Sequence, residues 1–425
     1  MSGSLERRAA AALLNPWQSP AAASEGLPVI VRGEGSFVVD AAGRRLLDAV
    51  SGYWCSSLGH GRRDVIERMR VQLETLSYAP LESRAHAPAV ELAERLLAMA
   101  PWGPSRVFFC SGGSEGIDWS VRAARAYWRT KGEPERLYIL RRAGAYHGAT
   151  LAASSLGGFP EFREADALTA TVEVCAAGCC GCAQGAHAAA CGEACAAAIE
   201  AAVSRLGPRR VAAFVAEPIS TPGGIRVPPP GYWPAVQAVL DRHKILLILD
   251  EVVTGVGRTG RWFAAERLGI RPDLLVLAKG LSAGYAPLGA VLLSRRVGEG
   301  LASCWLPGFT FGGHPAACAA ALAVLDAVDP LLERVDRLGA RLEAEFRGLA
   351  AGSRALGPPQ GLGLLWCLPF REGRASPAGI RGALESAGVL AYVMDGGILL
   401  APPLTLSDEE LAFLIGTLRA AVGAS

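Results

Sequence analysis

Lysine is almost missing from this chain: of 42 basic residues, only Lys131, Lys244 and Lys279 are not arginine. Net charge is missing too. Forty acidic residues leave a formal +2 over 425 residues, which excludes the strongly basic surface that attracts nucleic acid or an anionic membrane. Although 51% of residues are hydrophobic, no uncharged apolar run approaches the ~20 residues that span a bilayer. The opening "MSGSLERRAAAALLNPW" has only a short apolar stretch behind an acidic residue, unlike a secretory signal. A cytoplasmic location follows as the expectation, with cysteines kept reduced. The expected partners are small molecules and further copies of the chain.

What is present is a rhythm. Short apolar runs alternate with amphipathic helical patterns from about Arg106 to Ser294, which predicts an α/β fold with a mostly parallel sheet covered by helices. The predicted strands are Arg106–Phe109, Leu137–Leu140, Val211–Ala216, Ile245–Leu249, Leu274–Ala278 and Gly289–Ser294. Ile117, Val121, Ala124 and Trp128 make one apolar helical stripe. Beyond His314, Val335, Leu338, Leu342 and Phe346 mark a long amphipathic helix, "PPQGLGLLW" begins a strand-rich stretch, and "SDEELAFLIGTL" begins a last helix with a Ser N-cap and early acids. The expected division is an N-terminal segment, 1–60, contributing to a small domain, a large domain over 61–315, and a smaller α+β C-terminal domain over 316–425.

Lys279 stands where a surface lysine is not expected, directly after Leu274, Leu275, Val276, Leu277 and Ala278. Ligands of open α/β sheets bind beyond the carboxyl ends of the strands, and three polar residues end apolar runs here: Glu217, Asp250 and Lys279. Desolvation disfavours the ammonium form and readies a lysine for Schiff-base chemistry. In "VFFCSGGSEGIDW" a strand runs through Gly113 and Ser114 into a helix, so backbone N–H groups form a phosphate cradle at the same end. A Schiff-base lysine, a phosphate cradle and a buried carboxylate together point to pyridoxal 5'-phosphate (PLP).

These stretches resemble the class III, PLP-dependent aminotransferases of fold type I, a family that includes 4-aminobutyrate, ornithine, ω-amine and aminoglycoside aminotransferases. The resemblance covers nearly the whole chain: "SGGSEG", "AYHGAT", "FVAEPISTPGG", "LLILDEVVTGVGRTGRWFA", "AKGLSAGYAPLGAV" and "GFTFGGHPAACAAALAVL" follow in the family's order. It implies that Lys279 forms the Schiff base and moves the proton between substrate Cα and cofactor, and that Asp250 keeps the pyridine nitrogen protonated. By the same resemblance Gly113 and Ser114 hold the phosphate, Tyr146 and Val252 flank the ring, and Glu217 supports its hydroxyl side. Thr310 would reach the phosphate of a neighbouring subunit, which implies a homodimer with shared active sites. Ordinary core packing also accounts for Tyr146 and Val252, and a structural hydrogen bond for Glu217. His147 and His314 are read as structural.

The chain departs from the pattern where relatives place an arginine for a substrate carboxylate, which pairs bidentately with a guanidinium. "GVLAYVMDGGILLAPPL" offers Tyr392 there, and the acid that shields that arginine in glutamate-using relatives is replaced by Pro222. Val253 stands where a glutamine is common. The expected substrate is therefore an amine without an α-carboxylate, such as an amino sugar of the aminoglycoside type, which would belong to antibiotic biosynthesis, or an alkyl amine. Trp17, Tyr53, Trp54, Tyr146 and Tyr392 would line an aromatic pocket, with Asp395 attracting a second amine. An arginine elsewhere, such as Arg258, would instead make the enzyme a 4-aminobutyrate-type ω-amino acid aminotransferase. A PLP-dependent epimerase or aminomutase needs the same electron sink. Within 175–195, Cys179, Cys182, Cys191 and Cys195 have a spacing that can hold zinc or an iron–sulfur cluster; a small-residue loop with buried thiols or an opportunistic disulfide is the favoured reading, and no metal is assigned. Taken as a binding site, this segment also defines a non-enzymatic reading, which the intact Ser114, Asp250 and Lys279 oppose.

Overall fold

The computed structural model describes residues 4–16, 28–158, 170–174 and 188–423. Trp17, Cys179 and Cys182, and the side chain of Cys191, lie outside the described residues. Among those described, the strands are β1 (Ile30–Glu34), β2 (Phe37–Asp40), β3 (Arg45–Asp48), β4 (Pro104–Cys110), β5 (Tyr138–Arg142), β6 (Thr171–Val174), β7 (Val211–Ala216), β8 (Leu246–Asp250), β9 (Leu274–Leu277), β10 (Gly289–Ser294), β11 (Gln360–Leu362), β12 (Leu365–Pro369), β13 (Val389–Leu390), β14 (Tyr392–Met394) and β15 (Gly397–Leu400).

Seven of them form the central sheet in the order β4-β10-β9-β8-β7-β5-β6. β10 runs antiparallel to both its neighbours, whereas β5 to β9 pair in parallel. Every residue of β7, β8 and β9 is buried, so these strands read as unbroken apolar runs, as a sheet covered on both faces requires. Helix Gly113–Thr130 lays Ile117, Val121, Ala124 and Trp128 on this sheet, all buried. It approaches closely because Gly116 has no side chain: a Cβ there would stand 2.7 Å from Val276 Cγ1.

Two predicted strands sit differently. The first extends to Pro104–Cys110, and the second runs from Tyr138 to Arg142, because pairing with β7 and β6 carries it into two arginines that the apolar pattern excluded. β6 was not expected: "TVEV" is short, and its place at the sheet edge comes from pairing with β5.

Around the central sheet stand two smaller ones, β1-β2-β3-β13 and β11-β12-β15-β14. In the first, C-terminal β13 pairs in parallel with N-terminal β3. Helix Leu332–Ala351 buries Val335, Leu338, Leu342 and Phe346 as expected. The last helix, Asp408–Gly423, opens with a reciprocal cap: the Glu410 N–H donates to Ser407 Oγ at 3.1 Å and the Ser407 N–H to Glu410 Oε2 at 2.8 Å, a capping box.

Arg258 is a rivet rather than a substrate anchor. Its fully buried guanidinium donates from Nη1 to the carbonyls of Leu364 (3.1 Å) and Pro402 (2.5 Å), joining the loop after β8 to the C-terminal sheet. Burial lowers its pKa to about 10. Replacing it with leucine leaves both carbonyls without that donor, so Arg258→Leu is expected to lose about 2–4 kcal/mol, read as a lower denaturant midpoint.

Candidate active site

Because β7, β8 and β9 lie side by side in parallel, their carboxyl ends deliver Glu217, Asp250 and Lys279 to one edge of the sheet. A cavity of about 700 Å³ opens there, lined by all three. Lys279 enters the turn after β9 with φ +42°, a left-handed conformation that is strained for any residue but glycine. Burial lowers its pKa from the ordinary 10.5, opposed chiefly by the negative charge of Asp250. A neutral amine, the nucleophilic form, is thus favoured by the fold. Lys131 and Lys244, by contrast, are exposed.

Asp250 is fixed from two sides. Its Oδ2 lies 2.8 Å from His147 Nδ1, and its Oδ1 accepts from the Val252 N–H at 3.1 Å. The His147 side chain is fully buried, and its Nε2 has no hydrogen-bond partner. His147 therefore belongs to the site, as a group that orients the aspartate. The signal available in the sequence was its place directly after Tyr146; its partner lies 103 positions away. Glu217 accepts from the N–H of Thr221 (2.8 Å) and of Tyr146 (3.4 Å). Burial pushes its carboxyl pKa up against the pull of His147 and Arg142. Glu217 thus accepts hydrogen bonds from two backbone N–H groups and also lines the cavity.

The opposite wall is the first turn of helix Gly113–Thr130, where the N–H groups have no partner within the helix. Glu115 Oε2 takes the N–H of Ser111 at 2.7 Å, and Ser111 to Ser114 face the cavity. Glycine is required at two points: a Cβ on Gly113 would stand 2.9 Å from Val252 Cγ2, and one on Gly148 only 2.4 Å from Ser114 Oγ. Tyr146 and Val252 line the space between cradle and carboxylate. A glycine-lined cradle, an apolar slot, a tethered carboxylate and a lysine biased toward its neutral form fit pyridoxal phosphate.

Tyr53, Trp54 and Tyr392 meet edge to face, with centroids 5.2 to 5.9 Å apart, and all line the cavity. Lys279 Nζ lies 5.1 Å from the centroid of Trp54. Ser51, Gly52, Tyr53 and Trp54 all have φ between +49° and +65°, a left-handed turn; such residues cost roughly 1–2 kcal/mol each unless glycine. Ser51 Oγ donates to the Ala401 carbonyl at 2.7 Å, and the Trp54 N–H to the Val50 carbonyl at 2.8 Å. Those bonds hold the two aromatics in place.

Other expected residues fall elsewhere. Asp395 is exposed in the turn between β14 and β15 and does not line the cavity; strand alternation sends Tyr392 and Met394 inward, and Asp395 follows the last paired residue. Thr310 is exposed and outside this chain's cavity, its carbonyl accepting from Tyr78 Oη at 2.8 Å. Cys195 is buried in the core on helix Ala188–Leu206, which also carries Cys191, and no group of possible metal ligands occurs among the described residues. The cavity also takes in Cys55, Thr254, Ser282 and Met394, none of which had a local sequence signal.

The family profile described as aminotransferase class III matches residues 20–422. Putrescine–pyruvate aminotransferase of Pseudomonas aeruginosa is 33% identical over 413 residues, spanning 93% of this chain and 90% of that protein. The (S)-enantioselective omega-transaminase of Thermomicrobium roseum superposes with a TM-score of 0.93 at 36% identity, covering 99% of this chain and 98% of that one. An amine transaminase from an uncultivated Pseudomonas species, solved in its PLP-bound internal aldimine form, gives 0.92 at 34% identity, covering 97% and 98%.

Two outcomes follow from the geometry. Gly113→Ala forces Val252 out of the slot and should weaken cofactor retention about 10-fold or more, measured by titrating PLP into the apoprotein. Because burial lowers the Lys279 pKa, the folded apoprotein holds fewer protons at this residue than the unfolded chain between that lowered pKa and 10.5. Its stability should therefore rise with pH through that window, and Lys279→Met should weaken this dependence in thermal melts of the apoprotein.

Proposed function

The chain belongs to the class III aminotransferases, PLP-dependent enzymes of fold type I, and on that premise we propose that its amine substrate is an alkyl or aryl amine without an α-carboxylate. The observation that carries this reading is the wall built from Tyr53, Trp54 and Tyr392, continued by Met394 and Val253. Among the described residues no arginine lines the cavity. A polyhydroxylated amino sugar would bury hydroxyl groups against that aromatic surface with few partners, and unpaired buried polar groups are costly. With Asp395 in solvent, a second ammonium has no carboxylate there either. An apolar amine therefore fits better than the amino sugar, and the similarity to amine and omega transaminases supports it.

Pyridoxal phosphate, when bound, supplies the electron sink that makes the amine's Cα–H acidic. Gly113 and Ser114 would hold its phosphate, Tyr146 and Val252 its faces, Asp250 its ring nitrogen and Lys279 its carbonyl carbon. Lys279, whose amine burial shifts toward the neutral form, would take the Cα proton of the amine substrate and hand it on to the cofactor's carbonyl carbon. His147 keeps Asp250 oriented throughout. We further infer a homodimer in which the exposed Thr310 serves the neighbouring subunit's site, and a cytoplasmic location.

The test is a donor panel with pyruvate as acceptor: 1-phenylethylamine, putrescine, glucosamine and 4-aminobutyrate. The aryl amine is expected to have the highest kcat/KM, about 10-fold or more above 4-aminobutyrate, and Tyr392→Arg to narrow that gap by raising 4-aminobutyrate about 10-fold. A preference for 4-aminobutyrate would identify an ω-amino acid aminotransferase. Deuterium exchange at Cα without amino transfer would identify an epimerase or mutase.

A further inference from the structure

A second acid stands directly behind Asp250. Glu251 is 1% exposed and does not line the cavity. Three donors close on its carboxylate: Thr254 Oγ1 donates to Oε2 at 2.7 Å, the Ala264 N–H to Oε2 at 3.0 Å and the Ala265 N–H to Oε1 at 2.7 Å. The last two belong to the first turn of helix Ala264–Leu268, where N–H groups have no partner within the helix. Among the described residues no basic side chain is bonded to Glu251, so these three hydrogen bonds are what compensates a buried charge.

The bonds act on the wall of the site. The Glu251 carbonyl accepts the Gly255 N–H at 2.9 Å, so backbone and side chain both close the turn 251–255. Gly255 leaves that turn no slack: a Cβ there would stand 2.8 Å from the Glu251 carbonyl oxygen and from Leu277 Cδ2. Val252, Val253 and Thr254, which the turn carries, all line the cavity. The turn also supplies the Val252 N–H that tethers Asp250 Oδ1 at 3.1 Å, and it sets the Val252 methyls against Gly113.

We propose that Glu251 is a positioning residue for the cofactor: its carboxylate, accepting all three hydrogen bonds, holds the turn so that Val252 forms one face of the slot and the Val252 N–H orients Asp250. The inference rests on the PLP assignment and not on the amine proposed above. A proton on the carboxyl loosens this hold. All three partners are donors, and the two backbone N–H groups cannot reverse; only the Thr254 hydroxyl can accept, which leaves its own proton without a partner in a buried turn. Burial pushes the Glu251 pKa up to about 7 against the three hydrogen bonds, and the charge of Glu266 adds to that push. Glu266, whose Oε1 accepts the Phe263 N–H at 2.8 Å, is itself half-buried and faces the opposing charge of Arg261. The folded chain therefore holds more protons at Glu251 than the unfolded chain between pH 4.5 and about 7. This residue favours folding at low pH and loses that contribution as pH rises through 7, whereas cofactor retention rises over the same range.

The experiment titrates PLP into the full chain freed of cofactor, for the parent, Glu251→Gln and Thr254→Val. Glutamine has nearly the shape of the protonated acid, and Lys279, Asp250, Glu217 and Tyr146 are common to all three proteins. From pH 8 to pH 6 the parent's affinity should fall about 10-fold more than that of Glu251→Gln, with the two coinciding at pH 6. Thr254→Val removes one donor to the carboxylate, so the parent's transition should move up by about one pH unit. In melts without PLP, the Tm of Glu251→Gln relative to the parent should increase from pH 5 to pH 8. A relative gain in stability together with weaker cofactor binding is not what a general loss of structure produces. Affinity equal to the parent's at pH 8, or the parent's pH response retained in Glu251→Gln, would overturn the proposal, as would an unmoved or lowered transition in Thr254→Val. If Glu251→Gln does not fold, the Thr254→Val transition decides alone. A parent that binds no PLP would instead overturn the cofactor assignment.

Discussion

The burial of Lys279 at the end of β9 is the constraint on which the site depends. An ammonium there has lost its water, and the largest compensation is the negative charge of Asp250. Desolvation wins, so the fold biases the amine toward its neutral form. That bias requires β7, β8 and β9 to be covered on both faces, which their uninterrupted apolar runs ensure. It also requires Asp250 to stay oriented in a place where an untethered carboxylate would turn toward the lysine. The contact with His147 and the Val252 N–H meets that need.

Backbone strain gathers around the same centre. Ser51, Tyr53, Trp54, Ile225, Val256, Lys279 and Ala283 all have positive φ. Such conformations persist only where surrounding contacts outweigh them. Here the compensation comes from the Ser51–Ala401 hydrogen bond, the Trp54–Tyr392 contact and the buried packing of Ile225. Strain in this chain places side chains: two aromatics on the cavity wall and the lysine beside them.

Arg258 is fully buried, and its two carbonyl acceptors fix it as a structural pin between the loop after β8 and the C-terminal sheet.

The sequence by itself determined the sheet, the cradle and the reacting groups. Each is written in contiguous residues: an apolar run ending in Asp250, another running directly into Lys279, and glycines before an amphipathic helix. Local propensity and burial period suffice to read such signals. Tertiary structure alone decided that His147 orients Asp250, that Tyr53 and Trp54 turn left-handed to meet Tyr392, that Asp395 faces solvent, and that Arg258 is a pin. Those facts depend on partners far away along the chain and on how much water each group retains. Neither quantity is a property of neighbouring residues, so no local pattern could carry it.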